Sequence, residues 1–437
     1  MTPRIAWRCA GAAVGLVLVA VIVARVGDHM AGRTALPLPA PTAELIQRGA
    51  YLAKLGDCAA CHSVRGELPF SGGLRMRTPI GAIYTTNISP DPRYGIGRFT
   101  LADFDRALRY GVAEGHSLYP AMPYTSYYNT TPEDVAALYA YFLDAVAPAA
   151  VPNRPGEIPF PLSMRWPLTY WRWLFASKPQ AFAARAGMSP EEARGAYLVE
   201  GLGHCGECHT SRNVFMQLRA LTPLDGSRYL AGARIESYFA PSLRSEGAGS
   251  LSDWNAADLA AFLRTGGNAR AISFGSMSDV IVHSTQYWRD ADARATARYL
   301  KSLRSPDLPQ QFFAYDPASH EMLEDGNVSV PGALLYLNNC AACHRPDGNG
   351  YERAFPPLAG NPVVRAPDPA SVISVILSGS VTPRTPATPA QFAMPAFGWR
   401  LSDREVSEVA SFIRASWGNH AAPVQPDTVE RLRNHRS

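Results

Sequence analysis

Apolar positions recur at intervals of three and four residues in three widely spaced segments of the chain. The segments begin near Glu44, Glu191 and Pro331, and this spacing predicts a helix in each. Each predicted helix leads into a short motif that contains two cysteines. The first two segments align through Arg-Gly-Ala-Tyr-Leu, and we expect that alignment to continue without a gap to the cysteines. The pattern therefore indicates an internal repeat of one small helical plan.

Two further helices are predicted in each repeat. The middle helix of each copy ends at a glycine, and these helices are Leu101 to Tyr110 before Gly111, Ala256 to Thr265 before Gly266, and Ala370 to Ser378 before Gly379. A polar or proline-rich loop follows, and a last helix closes each unit. Thr131 caps the first closing helix, the second runs from about Ala291 to Leu303, and Ser402 with Glu405 forms a capping box at the third.

The amino terminus has a different pattern. Arg4 and Arg8 precede an uncharged apolar run from Cys9 to Ala24, which Arg25 and Asp28 end. The run is longer than the usual core of a cleaved signal and shorter than the roughly 20 residues that cross a bilayer comfortably. No clean Ala-x-Ala cleavage site follows it, so the sequence favours a retained anchor over a removed signal peptide. The flanking arginines predict that this end stays in the cytoplasm and that the rest of the chain lies outside.

The cysteines are concentrated in three copies of Cys-x-x-Cys-His. Six of the chain's 7 cysteines belong to these motifs, namely Cys58, Cys61, Cys205, Cys208, Cys340 and Cys343, and the histidines that follow are His62, His209 and His344. This is the attachment signature of c-type haem, in which two thiols bond to one porphyrin edge and the imidazole is the proximal iron ligand. The sequence therefore predicts three covalently bound haem c groups.

Three other uses of paired cysteines explain the pattern less well. A disulfide framework suits chains far shorter than 437 residues, and a thioredoxin-like redox pair does not require the following histidine. Cooperating zinc knuckles usually lie some tens of residues apart, whereas the first cysteines of these motifs are 147 and 135 residues apart.

Each helical copy resembles a class I cytochrome c domain. In that family a methionine on the loop before the last helix is the sixth iron ligand. The matching residues are Met122, Met277 and Met394. Met122 and Met394 are each followed by proline, whereas Met277 is not. Competing candidates are Met76, Met216 and His283, of which Met76 follows its motif too closely and is expected in a surface loop.

The predicted fold class is all-α, with three tandem class I cytochrome c domains after an N-terminal hydrophobic export or anchor segment. The expected organisation is a signal peptide or membrane anchor at 1–30, cytochrome domains at 43–147, 188–304 and 330–418, a proline-rich and aromatic linker at 148–187, a second linker at 305–329, and a polar tail at 419–437. The net charge of +4 and the absence of a basic run argue against a nucleic-acid partner.

The first linker is unusually aromatic. Trp166, Trp171 and Trp173 lie within eight residues of one another, together with Tyr170 and Arg172. Tryptophan, tyrosine and arginine together are typical of a membrane interface or a protein contact. A strap packed between the first two domains is the alternative interpretation.

The whole chain is similar to the tri-haem cytochrome c subunit of membrane-bound bacterial dehydrogenases, such as the quinone-cofactor alcohol dehydrogenase and the flavin-dependent gluconate, sorbitol and fructose dehydrogenases. Besides the haem motifs, the resemblance rests on Thr86-Asn87-Ile88-Ser89-Pro90-Asp91, on Tyr119 to Tyr124, on His283 to Tyr287 and on Met394 to Asp403. It implies that electrons leave FAD or pyrroloquinoline quinone in a separate catalytic subunit, pass among three haems and reach ubiquinone on the periplasmic side of the cytoplasmic membrane.

The sequence offers no active site of its own. It contains no Rossmann glycine fingerprint, no nucleophile elbow and no paired carboxylates that form a credible site. We therefore expect an electron carrier that is not an enzyme on its own. Three alternatives stay open: a partner of a molybdenum-containing aldehyde or heteroaromatic dehydrogenase, a stand-alone periplasmic carrier, and a multi-haem enzyme with an exchangeable sixth ligand.

Overall fold

Capped helices make up most of the ordered elements in the computed structural model, which describes residues 3–32, 39–247, 249–304 and 309–434. The chain divides into two units, Met1–Ala183 and Ala184–Ser437. The first unit contains the first predicted cytochrome domain and most of the aromatic linker. The second unit contains the other two predicted domains together. Residues 305–308, which begin the predicted second linker, and residues 435–437 of the predicted tail lie outside the described residues.

The first unit is built from seven helices and two short hairpins among its described residues. In chain order they are α1 (Pro3–Met30), α2 (Ala43–Leu55), α3 (Cys58–His62), β1 (Arg75–Thr78), β2 (Gly81–Tyr84), α4 (Leu101–Tyr110), β3 (Val112–Ala113), β4 (His116–Ser117), α5 (Tyr124–Tyr127), α6 (Pro132–Asp144) and α7 (Trp166–Phe175). Strand β1 pairs with β2 and β3 with β4, both antiparallel.

The second unit repeats the helical plan twice. Its first half has α8 (Pro190–Tyr197), a π-helical turn (Leu198–Leu202), α9 (Gly206–His209), β5 (Ala233–Ile235), β6 (Tyr238–Ala240), α10 (Ala256–Thr265), α11 (Ser276–His283) and α12 (Asp290–Ser302). Its second half has α13 (Ala318–Glu324), α14 (Ala333–Asn339), α15 (Ala341–His344), α16 (Pro362–Arg365), α17 (Ala370–Ser378), β7 (Ser380–Val381), β8 (Ala393–Met394), α18 (Asp403–Ala415) and α19 (Pro426–Asn434).

The three middle helices have the bounds that the sequence predicts. Thr100 forms a capping box with Asp103 at the start of α4, and Asn255 forms one with Asp258 at the start of α10. Gly111 and the two equivalent glycines end the helices with φ values of 63°, 78° and 68°. A residue with a Cβ rarely adopts this left-handed conformation, so glycine ends the helix with less conformational strain than another residue.

A close crossing of first and last helices recurs in all three copies. A Cβ added to Gly49 would lie 1.9 Å from the carbonyl oxygen of Ala137 on α6, and one added to Gly195 would lie 2.1 Å from that of Ala295 on α12. At Gly332 the corresponding distance to the carbonyl of Glu408 on α18 is 2.3 Å. Glycine therefore lets the two helix backbones touch in each copy.

Ion pairs reinforce this crossing in the first two copies. Arg48 pairs with Asp134 at 2.6 Å, and Arg194 pairs with Asp292 at 2.7 Å. Each arginine directly precedes the crossing glycine, and each aspartate lies in the first turn of the closing helix. The third copy has Pro331 in place of the arginine. The repeat inferred from short sequence matches therefore has a common three-dimensional contact.

The expectation of a gapless alignment between the first two copies is wrong. The second copy has one residue more than the first between its Arg-Gly pair and its first cysteine. The π-helical turn Leu198–Leu202 accommodates that residue, and Gly201 inside it has non-helical angles of −114° and −108°. A π turn widens the helix by one residue per turn, so the crossing glycine and the cysteines can both keep their places.

The all-α prediction is correct in its helices and incomplete elsewhere. The described chain also contains four two-stranded antiparallel hairpins. Met76, which the sequence placed in a surface loop, pairs with Ile83 in the β1–β2 hairpin. A four-residue strand has too few alternating positions to be recognised from the sequence.

The tail and the second linker are more ordered than the sequence predicted. The predicted polar tail forms α19, whose Val429 and Leu432 are buried in the core of the third copy. Its remaining side chains are largely polar, so the composition of this segment did not indicate that two of its apolar residues are buried. In the predicted second linker, residues 318–324 form α13, whose Leu323 joins the same core.

The second and third copies are joined by specific contacts within their unit. Ser371 on α17 exchanges two hydrogen bonds with the backbone of Phe239 on β6, at 2.8 and 2.9 Å. Arg234 on β5 pairs with Asp368 at 2.7 Å, and Arg365 pairs with Asp253 at 3.0 Å. Polar groups on both sides of this contact have hydrogen-bond partners, which explains why the two copies form one unit.

Candidate functional site

The three cysteine motifs lie on short helices that follow a break in the chain. In the first copy α2 ends at Leu55 and α3 begins at Cys58, because Asp57 between them adopts the left-handed conformation with φ of 52°. In the other copies the first cysteine directly precedes the short helix, at Cys205 and Cys340. The motif is therefore carried by its own helical turn, and the preceding helix that leads into it ends before the first cysteine.

All three motif histidines use Nδ1 in the same way. Each Nδ1–H donates to a backbone carbonyl, and the acceptors are Thr86 for His62 at 2.7 Å, Pro241 for His209 at 2.7 Å and Pro356 for His344 at 3.0 Å. A carbonyl oxygen only accepts, so this bond fixes the proton on Nδ1 and leaves the lone pair of Nε2 available for a metal. The three acceptors lie in loops after the motif, at different distances along the chain.

The environment of these imidazoles favours the neutral form. Burial lowers the pKa of His62, His209 and His344, and the hydrogen bond to the carbonyl opposes that effect only in part. A protonated imidazole cannot bind iron. The burial therefore prepares each ring to act as an iron ligand at neutral pH.

The motif cysteines lie at partly buried positions, and Cys340 is buried. Burial raises the pKa of Cys58, Cys205 and Cys340 to about 12. All six motif cysteines are free of disulfide bonds, which does not support a disulfide framework. Among the described residues no group of three or more histidine, cysteine or acidic side chains could hold a metal, which does not support a zinc knuckle.

The third copy shows how the predicted ligands come together. A cavity is lined by Cys340, Cys343, His344, Phe355, Phe392 and Met394, among others. Met394 lies on β8, which pairs with β7 directly after α17. A Cβ at Gly379 would lie 2.4 Å from the carbonyl oxygen of Met394, so the glycine at the end of α17 allows β8 to approach. Two thiols, an imidazole, a thioether and two aromatic rings around one cavity fit a haem c group.

Met122 lies where the sequence predicted, in the loop between β4 and α5. Its backbone N–H donates to the carbonyl of Tyr119 at 3.1 Å, and its own carbonyl accepts from the N–H of Tyr124 at 2.8 Å. These bonds form a tight turn around the methionine. The loop is therefore fixed in place before the closing helix α6 begins.

The position of Met277 differs from the prediction. It lies in the first turn of α11, and not on a loop. Gly275, with φ of 54°, turns the chain into this helix, and no proline follows Met277 to prevent helix formation. Of the competing candidates, His283 ends the same helix and Met216 lies in a loop with φ of 64°. The role of Met277 as an iron ligand stays a prediction.

One feature of the site has no local sequence signal. Residues 272–274, which precede Met277 in the second copy, also line the cavity of the third motif. The contact exists because α17 packs on the β5–β6 hairpin and brings the two copies together. Only the packing of two distant segments gives the third site this wall from the second copy.

These features define the class of protein. A pair of cysteines, an imidazole fixed through Nδ1 and, in the third copy, a methionine that lines the same cavity, all within a small helical unit, are the protein side of a c-type cytochrome. The family model described as Cytochrome c matches residues 329–417, which is the third copy.

Known proteins resemble this chain over nearly its whole length. The cytochrome c subunit of the quinone alcohol dehydrogenase of Komagataeibacter europaeus is 47% identical over 409 residues, covering 93% of this chain and 87% of that protein. The gluconate 2-dehydrogenase cytochrome c subunit of Pantoea cypripedii is 49% identical over 394 residues, covering 89% of each. The fructose dehydrogenase cytochrome subunit of Gluconobacter japonicus is 36% identical over 429 residues, covering 93% of this chain and 86% of that protein.

The chain belongs to the family of cytochrome c subunits of membrane-bound dehydrogenases. It carries haem c and transfers electrons as one subunit of a dehydrogenase complex. The helix α1 contains a stretch from Gly11 to Met30 with a mean hydropathy of 2.0, which is long and apolar enough to cross a membrane.

Proposed function

We propose that this subunit carries electrons through three haem c groups, from FAD or pyrroloquinoline quinone in a partner catalytic subunit to ubiquinone at the periplasmic side of the cytoplasmic membrane. The single observation that carries the conductive part is that a segment of the second copy lines the cavity of the third site. Residues 272–274 lie just before Met277 in the chain and also line the cavity around Cys340 and His344. A haem in the third site would therefore lie against the segment of the second copy that leads to Met277.

Each residue type at the sites has a defined part in this function. The motif cysteines, from Cys58 to Cys343, would hold the porphyrins covalently, and His62, His209 and His344 would bind the irons through Nε2. Met122, Met277 and Met394 are the proposed sixth ligands. When bound, haem c accepts and donates one electron at a time, and a thioether ligand stabilises the ferrous state and raises the potential.

Hydrogen bonds and strand pairing hold the proposed ligands of the third site in place. The bond from the Nδ1 of His344 to Pro356 holds the imidazole ring in one orientation. The short β7–β8 pairing holds the loop of Met394. A rigid ligand set limits the rearrangement that accompanies gain or loss of an electron, which suits a carrier.

The relatives indicate that the electron donor is a dehydrogenase, but they do not identify its substrate. Their names refer to alcohol, gluconate and fructose dehydrogenases, and this chain is between 36% and 49% identical to them. Such similar cytochrome subunits accompany enzymes for different substrates. We infer that the substrate is selected in the catalytic subunit, and that this chain provides the common path to quinone.

A second candidate donor is a molybdenum-containing dehydrogenase of a heteroaromatic substrate. One subunit of the nicotinate dehydrogenase of Pseudomonas putida is 36% identical over 378 residues, which cover 85% of this chain and 30% of that protein. This chain covers only 30% of that relative, so a molybdenum-containing dehydrogenase is the weaker candidate donor. Metal analysis of the co-purified catalytic subunit would distinguish molybdenum from a flavin or quinone cofactor.

The experiment is purification of the complex from its native membrane, followed by haem counting and electron transfer. We expect three haems per chain in a pyridine haemochrome assay and covalent haem on the denatured polypeptide. Under anaerobic conditions, a substrate of the catalytic subunit should reduce the haems, and a ubiquinone analogue should reoxidise them. A double variant, Cys340→Ala with Cys343→Ala, should retain two haems and serves as the control for counting.

Four results would contradict the proposal. Two or fewer haems on fully matured protein would remove one of the three sites. Purification without any dehydrogenase subunit would favour a stand-alone carrier. Reduced haems that do not pass electrons to the ubiquinone analogue would place the exit of electrons elsewhere, and carbon monoxide binding to one native haem would point to a multi-haem enzyme.

A further inference from the structure

A buried ion pair joins the N-terminal helix to the aromatic helix. The carboxylate of Asp28, near the end of α1, lies 3.0 Å from a guanidinium nitrogen of Arg172 on α7, and their side chains are 2% and 9% exposed. The same carboxylate accepts hydrogen bonds from the backbone N–H and hydroxyl of Ser117, at 3.1 and 2.8 Å, and from the hydroxyl of Thr169 at 2.9 Å. Both of its oxygen atoms are thus satisfied by groups on β4 and α7.

Backbone contacts extend this attachment along α1. The hydroxyl of Tyr170 donates to the carbonyl of Ala20 at 2.8 Å, and Arg106 donates to the carbonyl of Asp28 at 2.9 Å. A Cβ at Gly27 would lie 2.0 Å from the ring of Trp173, so the glycine allows the tryptophan to pack directly on the helix backbone. Close contact through a small residue is typical of helix pairs in membranes.

These contacts have a consequence for processing of the N-terminal segment. Removal of a leader after α1 would take away Asp28, so Arg172, Ser117 and Thr169 would lose the carboxylate that they share. It would also uncover the side of α7 that packs on α1, including the ring of Trp173 that lies on Gly27. A leader that is cleaved is absent from the mature unit, so it is not expected to complete a buried hydrogen-bond network there.

We propose that the N-terminal segment is retained in the mature protein, and that α1 and α7 together attach the first unit to the lipid bilayer. The exposed face of α1 provides the span, with apolar side chains that include Val14, Leu16, Leu18 and Ile22. On α7, Trp173 is 46% and Leu174 is 74% exposed beside it. Because tryptophan favours the membrane interface, α7 lies at the headgroup level where α1 leaves the bilayer.

Helix α7 and the residue before it also pack on the loop that carries Met122. The guanidinium of Arg165 lies over the ring of Tyr119 at 4.2 Å, and Trp171 meets Tyr124 edge to face with ring centroids 6.4 Å apart. These two tyrosines flank Met122. The attachment therefore places the methionine side of the first haem unit toward the membrane. The role of this orientation in delivering electrons to quinone rests on the function proposed above.

The first test is the mass of the subunit in the complex purified from its native membrane. We expect a mass for the whole chain, allowing for its haems and loss of the initiator methionine, and peptides that cover residues 9–32. A mature N-terminus beyond Asp28 would overturn the proposal. It would leave quinone reduction intact, so failure here is distinct from failure of the proposed function.

A second test measures the ion pair in the mature protein. Asp28→Asn and Arg172→Gln should each lower the melting temperature of the complex-bound subunit by several degrees, and the double variant should lose less than the sum of the two. Glu157→Gln is the control, because it removes an exposed pair with Arg75 in the same unit. If Asp28→Asn changes melting no more than the control, the segment is absent or the contact does not form, and the proposal is overturned.

A third test locates the bilayer by thiol labelling in a Cys9→Ala background. Leu174→Cys should resist a membrane-impermeant maleimide in native vesicles and react after detergent is added. Glu133→Cys, at the start of α6, should react in both conditions. Equal labelling of the two cysteines in vesicles would show that α7 faces water and would overturn its membrane role.

Discussion

The candidate sites depend first on single side chains with one defined task. His62, His209 and His344 each donate Nδ1–H to a carbonyl and thereby leave Nε2 free for iron. The Cys-x-x-Cys-His pattern predicts the ligand but not its acceptor, since the acceptors Thr86, Pro241 and Pro356 share no common spacing from their motifs. An acceptor that is a backbone carbonyl leaves no signature in the sequence.

Replacement of Met394 tests the sixth ligand of the third site. Met394→Ala should remove the weak absorption of ferric iron bound to thioether near the red end of the visible spectrum. It should also lower the potential of that haem, because axial ligands set haem potentials over a range of about 0.8 V. Redox titration and carbon monoxide binding, which should appear at the open position, measure the change.

Met76→Ala is the matched control, since Met76 lies on the β1–β2 hairpin of a different copy. Unaltered spectra and potential in Met394→Ala would remove this residue as a ligand. For the second site, the corresponding comparison is Met277→Ala against His283→Ala. Loss of the thioether band in the former and its retention in the latter are expected.

At the scale of elements, the repeated unit is held by the crossing of its first and last helices. Gly49, Gly195 and Gly332 lie at equivalent places in the three copies, because each contacts a carbonyl oxygen of the closing helix. The additional residue of the second copy shows how firmly both ends are fixed. The chain adopts a π turn at Leu198–Leu202 and keeps both the crossing and the haem motif in place.

Substitution of Gly49 by alanine should destabilise the first unit. The new Cβ would lie 1.9 Å from the carbonyl oxygen of Ala137, so α2 and α6 must move apart. Overpacking of this kind costs about 1–3 kcal/mol of unfolding free energy. Thermal melting followed by haem absorbance measures the loss.

Gly156→Ala is the control in the same unit. Its Cβ would be 3.5 Å from the carbonyl oxygen of Ala82, an ordinary contact, and we expect little change in melting. Equal effects of the two substitutions would mean that the α2–α6 crossing is not tightly packed. The prediction applies to Gly195 and Gly332 for the same physical reason.

At the scale of the whole molecule, the copies are not three equal domains. The second and third copies share one unit through α17 and the β5–β6 hairpin, whereas the first copy forms a unit with α1 and the aromatic helix α7. The aromatic linker thus packs within the first unit, through Arg172 and Thr169. The polar tail predicted at 419–437 contributes α19 to the core of the third copy.

Loss of the contact between the second and third copies should slow electron exchange between their haems. Ser371→Ala removes two hydrogen bonds and leaves the N–H of Phe239 without a partner, which costs about 1–3 kcal/mol. We expect three attached haems with unchanged spectra and slower equilibration after flash reduction. Ser407→Ala is the control, since Ser407 on α18 is buried and its hydroxyl donates to the carbonyl of Arg404 on its own helix. Equal rates of electron equilibration in Ser371→Ala and Ser407→Ala would show that this contact does not affect electron transfer between the second and third haems.

The sequence by itself determined the chemistry and the repeating plan. Haem attachment depends on a contiguous motif, the middle helices depend on local caps and terminal glycines, and the apolar run of α1 depends on composition. Each of these is a short-range property, so reading along the chain is sufficient to find it. Met122 and Met394 were predicted as ligands from the resemblance to class I cytochrome c, and both lie before a closing helix in the structure.

Tertiary structure decided what depends on contacts between distant residues. The partner of Asp28 is Arg172, the acceptor of His209 is Pro241, and residues 272–274 complete the cavity at His344. None of these pairs is close in the chain or marked by a shared pattern. They form because buried charges and polar groups must find partners within the packed unit, and packing alone chooses which groups meet.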